Sequence, residues 1–121
     1  MSLSRHLAAL AVLGVLAMQA GDAAAHAIII ESTPAVGAVV TGSDVPVTVR
    51  FNSRIDQERS RLTLTGAGGK AWPLAMLAAS SPDTLRAVAH DLPPGAYTLH
   101  WQVLAVDGHI TRGDIPFRHT P

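Results

Sequence analysis

Apolar and polar residues alternate along this chain with a period of two. Val45, Val47, Val49 and Phe51 fall on one side while Thr48, Arg50 and Asn52 fall on the other; Leu62 and Leu64 alternate against Arg61, Thr63 and Thr65. In the longest such stretch Tyr97, Leu99, Trp101, Val103 and Ala105 share a face opposite Thr98, His100 and Gln102. Successive side chains of a strand point to opposite faces, so this pattern predicts half-buried β-strands with the first-named sets inward. Candidate strands cover 27–32, 45–52, 61–65, 70–77, 84–89, 96–106 and 111–118. Pro, Gly, Ser and Asp punctuate them, and no helix longer than a turn or two is signalled. Gly66-Ala67-Gly68-Gly69 reads as a hairpin connection, and residues 92–97 read as a turn whose Tyr97 folds back as a tyrosine corner. About seven short strands make an all-β domain, a small Greek-key barrel or sandwich.

The first 25 residues follow a different pattern. Arg5 and His6 precede an apolar run from Leu7 to Met18, and a polar-to-small stretch then ends in Ala23-Ala24-Ala25. This is the plan of a cleavable secretory signal. The apolar run is twelve residues, against about 20 for a helix that crosses the hydrocarbon core. The expected organisation is therefore a signal peptide at 1–25, a single β domain at 26–121, and a periplasmic product with no membrane insertion after cleavage.

Composition narrows the chemistry. There is no cysteine, so an exported domain of this size has no disulfide framework and no thiolate ligands. Nine basic residues balance nine acidic ones, which leaves no electrostatic case for nucleic acid or anionic lipid as a partner. Phosphate-binding loops, a nucleophile elbow and a zinc-protease helix are all missing from the sequence. A monomeric binding protein is the expectation.

The cut after Ala25 changes the meaning of His26. As the first residue it offers a free α-amine and an imidazole that close one chelate ring, a donor set that suits Cu(II). Asp107-Gly108-His109 supplies a second pair: in extended backbone residues 107 and 109 project from one face, and their odd numbering continues the inward parity of Tyr97 to Ala105. Taken alone, Asp-Gly is also an ordinary turn signal with an exposed histidine after it. Together, His26, Asp107 and His109 provide three nitrogens and one carboxylate oxygen, a tetragonal set for one Cu(II) per mature chain. Binding displaces protons, so occupancy should fall on acidification. His90, His100 and His119 read as solvated surface residues. Met76 is the one methionine downstream of the signal, and it reads, with Trp72 and Trp101, as core.

These residues resemble a known family, the periplasmic copper-binding CopC proteins. The resemblance runs through His26-Ala27, Ser32-Thr33-Pro34-Ala35-Val36-Gly37-Ala38, Val49-Arg50-Phe51, Pro94-Gly95-Ala96-Tyr97, Trp101, Asp107-Gly108-His109, Gly113 and Phe117. It implies an immunoglobulin-like or cupredoxin-like Greek-key barrel with Cu(II) held by His26, Asp107 and His109. It also implies a non-enzymatic carrier or buffer that exchanges copper with an inner-membrane transporter of the CopD type. Two departures stand out: 72–81 has only Met76 where some members carry a methionine- and histidine-rich Cu(I) loop, and Asn52-Ser53-Arg54 stands where members often place an acidic residue. The chain thus resembles the Cu(II)-only kind. Two rival classes remain, a terminal-histidine copper oxygenase and a metal-free immunoglobulin-like interaction module.

Overall fold

A computed structural model describes residues 27–121, so the signal-peptide expectation and His26 lie outside the described residues. Among the described residues nine strands form two packed sheets: β1 (Ile29–Thr33), β2 (Val39–Thr41), β3 (Val45–Phe51), β4 (Arg61–Thr65), β5 (Ala71–Trp72), β6 (Ala75–Leu77), β7 (Thr84–Ala89), β8 (Gly95–Leu104) and β9 (Ile110–Thr120). One sheet has the order β1-β3-β7-β6 and the other β2-β9-β8-β4-β5, and every pairing is antiparallel except β2 with β9. The result is an immunoglobulin-like sandwich, the all-β class that the alternation predicted.

The inward parity holds throughout the central strands. Val45, Val47, Val49 and Phe51 are buried, as are Leu62, Leu64, the set Tyr97, Leu99, Trp101 and Val103 on β8, and Ala105 just past its end. Phe51 meets the edge of Trp101 across the two sheets, ring centroids 5.2 Å apart. Behind the indole, Gly113 of β9 pairs with Trp101, and a Cβ there would stand 2.4 Å from the ring. The tyrosine corner is present, with the Tyr97 hydroxyl donating to the Pro93 carbonyl at 2.6 Å. The Gly66–Gly69 stretch is a hairpin connection, built on a short 3-10 turn over Ala67–Gly69 and closed by Gly66 N–H to Lys70 O at 2.8 Å.

Three expectations need correction. The single strand at 70–77 is two short strands, β5 and β6, in different sheets. Pro73 separates them, since it has no N–H to give a ladder. β2 was not anticipated; its three residues pair with Arg118, His119 and Thr120. Met76 is not core: it lies on the edge strand β6 and is 49% exposed. Trp72 is half-buried against the core, and Trp101 is buried.

Candidate metal centre

One end of the sandwich gathers the end of β3, the start of β7, the start of β9 and the β8–β9 turn. β8 and β9 are the longest pair, in register from Gly95↔His119 to Leu104↔Ile110. Beyond Leu104 the chain leaves the ladder: Ala105 N–H donates to His109 O at 2.8 Å, and Gly108 N–H donates to Ala105 O at 2.9 Å. Gly108 sits at φ +89°, a left-handed conformation that costs glycine least. Residues 107 and 109 therefore lie in a tight turn. The extended backbone and continued inward parity expected for them are not what brings them together, and both are exposed rather than inside the barrel mouth.

The turn nevertheless joins the pair. Asp107 Oδ1 accepts the His109 N–H at 3.1 Å, and Asp107 Oδ2 lies 3.1 Å from His109 Nδ1. Their side chains are 33% and 56% exposed. Neighbouring donors on a square of metal–ligand bonds about 2.0 Å long stand about 2.8 Å apart. The observed spacing is close to that bite, which makes the pair a candidate two-donor grip on one cation. Among the described residues no three His, Cys, Asp or Glu side chains converge as a metal cluster.

The first described residue ends at the same place. Ala27 is 3% exposed, and its carbonyl accepts the Thr111 hydroxyl at 3.1 Å, two residues beyond His109. Ile28 and Asn52 exchange two hydrogen bonds, Asn52 N–H to Ile28 O and Ile28 N–H to Asn52 Oδ1, both 2.8 Å. Ile55 bridges to Ala105, and Asp56 N–H donates to Leu104 O at 2.9 Å, which fixes the base of the turn from the other side. Nearby, the Ser81 and Thr84 hydroxyls both donate to Asp83 Oδ1. These hydroxyls, Ser81 first, hold the Asp83 carboxyl below its ordinary value of 3.8.

A family model for the CopC domain matches residues 29–120. The chain belongs to the CopC family. Protein YobA of Escherichia coli strain K12 is similar to it, 31% identical over 96 residues that cover 77% of each chain. The crystal structure of CopC from Methylosinus trichosporium OB3b aligns with a TM-score of 0.73 at 26% identity, over 79% of this chain and 95% of that one. PcoC, a methionine-rich copper resistance protein from Escherichia coli, aligns with a TM-score of 0.70 over 79% of this chain and all of that one; at 19% identity the likeness is one of fold.

Within this CopC domain the other histidines take up different places. His90 is exposed beside Asp44, 3.3 Å away. His100 does face outward, but it is not merely solvated. Its Nδ1 lies 2.7 Å from Asp114 Oδ1 and its Nε2 lies 2.9 Å from Thr65 Oγ1, a line across β9, β8 and β4. His119 overturns the surface expectation outright: it is 5% exposed, with Nε2 on the Gly42 carbonyl and Nδ1 buried with no partner among the described residues. A carbonyl accepts only from N–H, so Nε2 carries the proton. The signal for this was present in the alternation, because Ile115, Phe117 and His119 form one inward series. No helix among the described residues is long and apolar enough to cross a membrane.

Proposed function

We propose that the chain is cut after Ala25 and that the mature protein is a periplasmic Cu(II) carrier or buffer serving copper homeostasis or resistance. One Cu(II) is held by the α-amine and imidazole of His26, the Asp107 carboxylate and the His109 imidazole. The observation that carries this reading is the turn at 105–109, which sets a carboxylate and an imidazole 3.1 Å apart. That turn stands two residues from the hydroxyl that holds Ala27, to which residue 26 is covalently joined. Consecutive Cα atoms are about 3.8 Å apart, so the link from Ala27 to residue 26 is short compared with the domain.

The function is binding and exchange, not catalysis. Nitrogen and carboxylate oxygen donors favour Cu(II) over Cu(I), which wants soft sulfur. The exposed Met76 is a lone thioether, on an edge strand far in sequence from the turn. Release to, or loading from, a CopD-type inner-membrane transporter is the expected use of a site open to solvent. The copper resistance role named for PcoC fits the same reading.

Titrating Cu(II) into protein whose first residue is His26 should give one tight site per chain. One alanine added ahead of His26 removes the terminal amine chelate and should weaken binding sharply. Equal affinity with the terminus blocked would overturn the proposed ligand set, and mass spectrometry of exported protein that begins at another residue would overturn the processing.

A further inference from the structure

We infer that Asn52 is a positioning residue for the metal centre, acting through the main chain of Ala27 and Ile28 rather than as a ligand. This rests on the copper reading above. The β1–β3 ladder has Ile29↔Phe51 as its last pair. One step further, Asn52 N–H still donates to Ile28 O, but the return bond comes from the Asn52 side chain, whose Oδ1 accepts the Ile28 N–H at 2.8 Å. An amide side chain has thus replaced the main-chain carbonyl that an antiparallel pair would supply. The assignment of oxygen and nitrogen in the amide is forced, because only the oxygen can accept.

The consequence is a rung of two bonds beyond the last ladder pair, one from the main chain and one from the side chain. It extends the grip on the N-terminal segment by one residue, to the one adjoining Ala27. Ala27 is then caught from the other sheet by the Thr111 hydroxyl at 3.1 Å. Two sheets hold two consecutive residues, so the direction in which the chain leaves Ala27 toward residue 26 is set by Asn52 and Thr111 together. With its Oδ1 committed to Ile28, Asn52 contributes by orientation and by removing the entropy of a loose terminus.

The test compares wild-type protein with Asn52→Ala and Asn52→Asp, all beginning at His26. In copper-free protein, hydrogen exchange at the Ile28 amide should be fast in Asn52→Ala and protected in wild type and in Asn52→Asp, whose carboxylate accepts the same N–H. Exchange at Leu99 in the core should be the same in all three. With Cu(II), Asn52→Ala should bind at least about tenfold more weakly, the scale seen for groups that orient metal ligands, and its electron paramagnetic resonance spectrum should broaden or split. If wild type binds Cu(II) and Asn52→Ala matches it in affinity and spectrum, the positioning role is wrong. The same follows if Ile28 stays protected in Asn52→Ala. If wild type binds no Cu(II), the copper reading itself has failed and the positioning role goes with it.

Discussion

Replacing Gly113 by alanine adds one methyl group against the buried Trp101 ring. A Cβ at this position lies 2.4 Å from Trp101 Cζ2, 2.6 Å from Cε2 and 2.7 Å from Nε1. These are well inside van der Waals contact, and the ring has little room to yield, since Trp101 is buried and Phe51 meets it from the opposite sheet. Overpacking of this kind costs about 1–3 kcal/mol. In a domain of about 100 residues each kcal/mol moves the midpoint by about 4–8 °C, so Tm should drop by about 4–24 °C. Urea unfolding followed by tryptophan fluorescence gives the free energy directly. A Trp101→Phe background, which lacks the three contacted atoms, should reduce the cost of Gly113→Ala even though Trp101→Phe is itself destabilising. Coupling between residues in contact makes such a cycle non-additive. If Gly113→Ala is as stable as wild type, or costs the same in both backgrounds, the close approach is not what requires glycine.

Other consequences are open to simpler measurements. Tyr97→Phe deletes the bond to the Pro93 carbonyl and should cost about 0.5–1.5 kcal/mol in urea unfolding. Because burial pushes the Tyr97 phenol above its ordinary 10.0, folding favours the neutral form, and stability should decline as pH rises past that value; Tyr97→Phe should flatten this alkaline limb. Asp83 behaves in the opposite sense. Its carboxyl is held below 3.8 in the folded protein, so the stabilisation is present above that pH and disappears as pH falls through the lower, folded value, and Asp83→Asn should remove this acid-dependent loss. Leu99→Ala empties a fully buried position of β8 and should cost about 2–5 kcal/mol.

The parts of the fold that were legible in the sequence are those whose neighbours impose a strict alternation. β4 and β7 begin and end where the period-two pattern does, and β3 and β8 depart from it by a residue or two at their ends. β2 carried no such signal, since of Val39, Val40 and Thr41 only Val40 packs on the core, and its partner lies at the far end of the chain. Pairing across that distance leaves no local trace. His119 shows the reverse case: the pattern was there, but polarity argued against following it one position past Phe117. At the candidate metal centre, Asp107 and His109 share a spacing of two in the sequence and meet in the structure, although the spacing works through a left-handed glycine and not through an extended strand. Asn52 was visible only as an uncharged residue. Its role depends on a hydrogen bond to a residue 24 positions away, which no local pattern encodes.

The pairing of β2 with β9 also governs when the domain can close. Arg118, His119 and Thr120 supply the only strand that β2 touches among the described residues, and they lie 79 positions beyond their partners. Until β9 is made, this sheet lacks the strand that joins β2 to β8, and non-local closure of this kind is slow. Before β9 is in place the polypeptide is therefore pliable, one sheet still open at both β2 and β8.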